Sequence, residues 1–313
     1  MQLKLSDLPQ EGIPSQIPIN ASGLKVAACP RRWMLTVFLG FQPVQDTIPL
    51  DFGKIVHKFA ELVAFDRSPE NLAQALTTTI SLGRDRFGIN SKEFAQLKGV
   101  LASCPIGLPG KNLPYPVRVS DKKAAEYKFQ FKIDNHTGFY YTGTIDLISH
   151  DTQREILVIN DYKTTRKYLL RDAVSAYEGD PQFQFYYYIV NKFAYDIFKG
   201  DLVLANLAWY RKMVAKVLVV MIGNTSKPPS WTSATPDWSF TEEALKEFGE
   251  MLDVFAQARY DDITSLNLPP PTGKLINACP QCPFKPLCFA QNKDQVDLYL
   301  SELTIKKYEP LTW

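Results

Sequence analysis

Residues 139–167, FYYTGTIDLISHDTQREILVINDYKTTRK, constrain this chain more than any other stretch. Apolar and polar residues alternate over Tyr141–Ile148, the pattern of a half-buried strand, and the apolar run Ile156–Ile159 predicts a second strand ending in Asp161-Tyr162-Lys163. The polar break His150-Asp151-Thr152-Gln153-Arg154 supplies the turn between them. Asp146 falls inside an apolar strand, where an ionised carboxylate is costly unless it is paired or binds a metal. Asp161 and Lys163 are two residues apart on an extended chain, so their side chains leave the same face. A surface ion pair and a turn aspartate would account for these charges one at a time. On two neighbouring strands they would converge, two carboxylates and an ammonium, which is metal-assisted phosphodiester chemistry in outline.

At 313 residues, 45% of them hydrophobic, the chain can bury a sizeable core, as one large domain with additions or as two domains. A formal net charge of +2 means that any surface for nucleic acid must be local. The N-terminal MQLKLSDLPQEGIPSQIPIN has no apolar core of the kind a signal peptide needs, and no apolar run approaches bilayer length. The expectation is therefore a soluble, cytoplasmic protein with no membrane partner. In a reducing compartment its five cysteines read as thiols or metal ligands rather than a disulfide framework.

Along the chain, Gly23–Leu39 predicts a helix starting near Pro30, just after Cys29. Asp51 to Phe65 predicts the next, with Asp51 as a cap. Phe52, Ile55, Val56, Phe59, Leu62 and Val63 lie on one side of it, Lys54, Lys58 and Glu61 on the other, and His57 on the boundary, from which a ligand can reach a cleft. Residues 66–120 read as helices followed by the irregular Cys104–Pro116. Strand character returns over Ala124–Ile133, with Glu126 near its start. Lys163, Arg166, Lys167 and Arg171 form a basic cluster that is either a solvated face or an attraction for nucleic-acid phosphates. A long helix is expected from the Asp180-Pro181 cap to Gly200, with Gln182 turned inward beside the Tyr186 face. Leu202–Arg211 and Val214–Ile222 resemble a strand pair, Phe240–Tyr260 a further helix, and the Pro-rich Asn267–Gly273 a connector.

That connector leads into CPQCPFKPLC, which places Cys279, Cys282 and Cys288 within ten residues. Thiolates this close suit an iron–sulfur cluster or, alternatively, zinc. Four-cysteine closure needs one more ligand, either Cys29 or Cys104.

The set Gly53-x3-His57, Glu126, Gly143-x2-Asp146, Asp161-Tyr162-Lys163 and Gln182-x3-Tyr186 resembles the RecB-like branch of the PD-(D/E)xK nucleases. One cysteine before this set and three after it are similar to the arrangement in the iron–sulfur nucleases of the AddB type and the CRISPR-associated adaptation nucleases. The resemblance implies a single α/β nuclease domain over 1–313, with a restriction-endonuclease-like core and a central mixed β-sheet flanked by helices. Its parts would be N-terminal helices over 22–65, an insertion over 66–120, a catalytic core over 121–222 and a C-terminal helical part over 223–313. It implies Mg²⁺ or Mn²⁺ held by His57, Asp146, Asp161 and the carbonyl of Tyr162, with Lys163 at the phosphate, Gln182 and Tyr186 aligning the lysine, and Glu126 in support. It selects Cys29, with Cys279, Cys282 and Cys288, for a [4Fe–4S] cluster joining the two ends of the chain. Beside such a site the basic cluster itself is expected to put Arg166, Lys167 and Arg171 on DNA phosphates. Asp161 stands where many relatives carry Glu, although Asp-Tyr-Lys-Thr is itself a form typical of this branch. The expected activity is exonuclease action on single-stranded DNA or DNA ends, in recombination, repair or viral DNA processing. The alternative is a nuclease-like DNA-binding subunit of a helicase or recombination complex. The sequence contains no G-x-x-x-x-G-K-[ST] phosphate loop, so unwinding would need a helicase partner.

Overall fold

The computed structural model describes residues 4–9, 16–43, 48–105, 114–119, 122–134, 136, 138–166, 169–175, 177, 179–223, 227–233, 237–266, 268–270, 272 and 279–305. Two compact units emerge. One comprises Met1–Gln45, Lys128–Gly143 and Glu242–Trp313, and the other Asp46–Tyr127 and Thr144–Thr241.

The second unit is built on the expected hairpin. Strand Phe139–Asp151 continues into it and pairs antiparallel with strand Ile156–Thr165, in register from Leu147↔Asn160 to Asp151↔Ile156. Strand Ile156–Thr165 also lies parallel to strand Met213–Met221, from Leu157↔Met213 to Thr165↔Met221, and that strand pairs antiparallel with Ser230–Ser233. The sheet is therefore mixed. A parallel pair cannot be joined by a tight turn and needs a crossover. Helices Leu170–Ser175, Pro181–Lys192, Ala194–Ile197 and Leu202–Trp209 provide it.

This requirement corrects one expectation. Leu202–Arg211 is not a strand: Leu202–Trp209 is helical, capped by Asp201, whose carboxylate accepts the Leu204 N–H at 3.0 Å. A run that is apolar but for Asn206 carries little period to separate helix from strand, and the topology decides. Two further corrections concern helix ends. The helix from Pro181 stops at Lys192, and Phe193, at φ −108° and ψ 28°, breaks it before the short Ala194–Ile197 piece. Helix Ile48–Phe65 begins before Asp51, which is no cap but lies in the first turn and pairs with Lys54 at 3.1 Å and Arg86 at 2.6 Å.

Alternate residues of the central strands leave opposite faces, and each face is covered. On one side Phe52, Ile55, Val56, Phe59 and Val63 of helix Ile48–Phe65 pack with Ala75, Leu97, Val100, Leu101, Val220 and Ile222. Ala75 comes from helix Pro69–Phe87 and Leu97 from helix Lys92–Ala102. On the other, Ala215, Val217 and Val219 meet Val174 and Phe183 from the crossover helices. The architecture is the expected one, a mixed sheet flanked by helices. Most of the irregular stretch after Cys104 lies outside the described residues.

In the first unit, strand Ile17–Ile19 runs parallel to Phe139–Tyr141, and Asn20 caps helix Ala21–Val26 by accepting the Gly23 N–H at 2.7 Å. Helix Pro30–Trp33 starts at its proline as expected. The early and late parts of the chain meet here. Arg31, 5% exposed, donates to the Pro269 carbonyl at 2.6 Å, Trp33 packs edge-on against Phe255 of helix Glu242–Thr264, and strand Leu303–Ile305 pairs with Phe41–Pro43. No helix among the described residues is long and apolar enough to cross a membrane.

The Asp180 carboxylate caps the helix from Pro181 by accepting the Gln182 N–H at 2.9 Å. Asp180→Ala is expected to cost about 1 kcal/mol of folding stability, the usual worth of such a cap, measurable by urea denaturation.

Candidate active site

The site arises where the hairpin ladder ends. Backbone pairing between the two strands runs as far as Leu147↔Asn160, and the next inward amide, that of Tyr162, donates to the Asp146 carboxylate at 2.7 Å. A side chain thus takes the place of a strand partner. Asp146 is fixed against the backbone between Asp161 and Lys163, and the carboxylates come together as the alternation implies. Glu126 begins the neighbouring strand Ala125–Lys132, just after Ala124, whose carbonyl accepts the Ile148 N–H. Its φ of 49° is in the left-handed region, uncommon for a residue with a side chain and concentrated at functional sites.

Helix Ile48–Phe65 contributes His57. Its Nδ1 lies 3.5 Å from Asp146 Oδ2 and 3.8 Å from Glu126 Oε1, and its ring meets Tyr162 edge-on at 5.8 Å between centroids. Burial opposes the imidazolium charge, but hydrogen bonds to Asp146 and Glu126, with the field of Asp146 and Asp161, push its pKa up to about 10. Among the described residues, His57, Glu126 and Asp146 are the group whose potential ligand atoms all lie within 4.8 Å of one another. One imidazole and two carboxylates form a donor set that suits a hard or borderline divalent cation, so the residues fit such an ion.

Asp161 is 2% exposed. Burial, with Asp146 adding to it, holds its carboxyl up at about 6 against the pull of the Lys163 ammonium. Lys163 Nζ lies 2.6 Å from Asp161 Oδ2, as their shared strand face requires. Burial works against the lysine charge and Asp161 more than restores it, holding the ammonium above its usual range. Gln182 bridges the pair: its amide nitrogen donates to Asp161 Oδ1 at 2.5 Å, while its oxygen accepts from Lys163 at 3.3 Å. Gln182 is 8% exposed, turned inward as the helical projection predicts. Tyr186, one turn on, is 7% exposed and hydrogen-bonded to Gln182, and burial and then Asp161 and Asp146 hold its phenol neutral.

A cleft of about 480 Å³ opens onto this group, lined by Gly53, Lys54, His57 and Lys58 from the helix and by Glu126, Tyr162, Lys163 and Thr164 from the sheet. Two neighbours went unrecognised in the sequence. The Tyr177 ring lies 5.8 Å from Lys163 Nζ, and Trp231 meets Tyr162 edge-on while its indole donates to the Val100 carbonyl at 3.0 Å. Tyr177 sits in a turn and Trp231 on a short strand, where no periodic signal marks an inward side chain.

Of the basic cluster, Arg166 is exposed just after Lys163, and the Arg171 side chain is 87% exposed and 3.6 Å from Asp172, while Lys167 lies outside the described residues. The cysteines fall in two places. Burial, with smaller contributions from Cys282 and Cys29, holds the Cys288 thiol up at about 11 against the lowering effect of the Arg31 charge and hydrogen bond. Cys104 belongs to the other unit, packed beside Ala60, Leu147, Tyr162 and Leu218. Among the described residues, the cysteine sulfurs form no three-membered group within the 4.8 Å that gathers His57, Glu126 and Asp146.

A histidine must lose its proton to ligate a metal. The folded pKa near 10 stands above the ordinary 6.5, so in the metal-free protein this charge adds stability that is full below pH 6.5 and lost as pH rises through about 10. Apparent Mn²⁺ affinity is expected to rise over the same window, by up to about tenfold per pH unit, with one proton released on binding. Calorimetry in buffers of different ionisation enthalpy measures that proton, and His57→Gln should abolish its release. Comparison with known proteins finds no match among curated sequences. The family model described as the PD-(D/E)XK nuclease superfamily matches residues 21–289, most of the chain. On that match, and with a buried Asp–x–Lys strand facing a second aspartate across a hairpin, the chain belongs to the PD-(D/E)XK nuclease superfamily.

Proposed function

We propose that this protein is a metal-dependent DNA exonuclease of the RecB-like branch, acting on single-stranded DNA or DNA ends in recombination, repair or viral DNA processing. Membership of the superfamily carries metal-dependent phosphodiester hydrolysis. The observation that supports an intact catalytic centre is the Asp161–Lys163 pair held at 2.6 Å with Gln182 bonded to both. A nuclease-like binding subunit would have no need to keep a buried charge pair whose desolvation must be offset.

In this reading His57, Asp146, Asp161 and the Tyr162 carbonyl would hold Mg²⁺ or Mn²⁺, and Glu126, whose carboxylate gathers with His57 and Asp146 within 4.8 Å while Asp161 is engaged by Lys163 and Gln182, would join or support that set. When bound, such an ion would supply Lewis-acid charge for phosphodiester hydrolysis and ease the deprotonation of water. Lys163 places a fixed positive charge beside the phosphate and orients the attacking water. Gln182 sets that ammonium by holding it and Asp161 at once, and Tyr186 fixes Gln182. Arg166, Lys167 and Arg171 bind the DNA backbone. Cys29, Cys279, Cys282 and Cys288 would hold a [4Fe–4S] cluster that tethers the first unit, a ligand choice that rests on the resemblance to the AddB-type nucleases, while Cys104 packs in the other unit beside Ala60, Leu147, Tyr162 and Leu218. The setting is cytoplasmic, with a helicase supplying any unwinding.

Digestion of 5′- and 3′-labelled single- and double-stranded DNA with Mg²⁺ or Mn²⁺ tests the reading. Asp146→Ala and Asp161→Ala are expected to abolish cleavage, and Lys163→Ala to lower it by about 10²–10³-fold, the usual worth of one preorganised electrostatic group. Preserved cleavage in these variants would sink the assignment, and tight DNA binding without turnover in the wild type would favour the binding-subunit alternative. Iron analysis and thermal melting test the cluster. Cys29→Ala and Cys282→Ala should lose iron and stability alike, with Cys104→Ala mild.

A further inference from the structure

The catalytic cleft does not end at Lys163. Beyond it lies a second cavity of about 320 Å³, lined by Ile48, Pro49, Phe52, Thr164, Thr165, Arg166 and Ile222. It shares Pro49 and Thr164 with the cleft, so the two adjoin. Its composition changes along the way. The catalytic part is walled by carboxylates, imidazole and ammonium, whereas the second cavity has four apolar residues, two threonine hydroxyls and one guanidinium.

Burial orders these residues from bottom to rim. Phe52 is 2% exposed and Ile222 is 8% exposed, which makes them the floor, and Pro49 and Arg166 are exposed at the rim. The position is held by backbone, since the Ile222 N–H donates to the Thr165 carbonyl at 2.9 Å. Thr165 follows Lys163 by two residues on the strand, so it lies on the same strand face about 6.6 Å further along. An apolar floor with hydroxyls on the wall and a cation at the rim complements a ligand that is flat and apolar at one end and anionic at the other. A nucleotide released from base stacking has this form, whereas a base pair within a duplex cannot present its face to a pocket.

Resting on the nuclease reading above, we infer that this cavity is a nucleotide subsite next to the cleavage position: it takes one unpaired base of the DNA strand against Ile48, Pro49, Phe52 and Ile222, with Arg166 on the adjoining phosphate. The subsite makes strand separation at that nucleotide a condition of productive binding. A duplex end must fray by at least that one pair before its phosphate reaches Lys163.

The test uses the full-length protein and two fluorescently labelled oligodeoxythymidylates, one intact and one with a single internal abasic spacer. Binding is measured by anisotropy in EDTA, and cleavage is mapped bond by bond with Mn²⁺. The intact strand is expected to bind about tenfold more tightly than the abasic one in its preferred register, the usual effect of one stacked base, with cleavage depressed only at the bond beside the spacer. Arg166→Ala, an exposed change that leaves the core intact, should weaken binding of both strands and reduce the salt slope by about one unit. Equal binding of the two strands by the wild type overturns the subsite, whether or not the DNA is cut. Preferential binding of the intact strand without any cleavage supports the subsite while sinking the exonuclease reading, so the two failures are distinguishable.

Discussion

Asp161 is an acid in the core of a sheet, and the rest of the site exists around the cost of that burial. Left alone, a carboxylate at 2% exposure would take up a proton rather than remain charged. Lys163 at 2.6 Å and the Gln182 amide at 2.5 Å supply the opposite charge and the hydrogen bond that keep it ionised. Each of those partners is set by a different element: the lysine by strand alternation, the glutamine by a helix whose start is fixed by Asp180 and Pro181. A shift of either element by one residue would leave a buried charge unpaired, so the geometry that serves chemistry is also the geometry that the fold tolerates.

The hairpin shows how backbone order turns into a site. Ladder pairing runs to Leu147↔Asn160, and the Tyr162 amide then finds the Asp146 side chain instead of a strand. The ladder ends there without an unsatisfied amide as the cost. His57 approaches from a helix whose apolar face is sunk in the core through Phe52, Val56 and Phe59, which leaves the boundary residue facing the two acids. The strong upward pull on its pKa shows how much negative charge gathers there, and a divalent cation would relieve the same charge.

Much of this was legible before any coordinates. The alternation in Tyr141–Ile148 and the spacing Asp161-x-Lys163 are local facts with period two, and the helical projection that turned Gln182 inward is a local fact with period 3.6. The misreadings share one cause. Leu202–Trp209 is apolar but for Asn206, and the break at Phe193 follows from no breaker residue. In both places the crossover demanded by the parallel pair decides, and no window of sequence contains that demand.

The sequence by itself determined which residues are chemically capable, in what order, and on which face of which element, because side-chain direction follows from local periodicity. Only the tertiary structure decided that Asp146 closes onto the Tyr162 amide, that Glu126 turns toward His57 at a left-handed φ, that Tyr177 and Trp231 neighbour Lys163 and Tyr162, and that a second cavity adjoins the cleft. These depend on pairing register and on packing between segments far apart in the chain. Such contacts are settled by the energy of the whole core, not by any one segment of it.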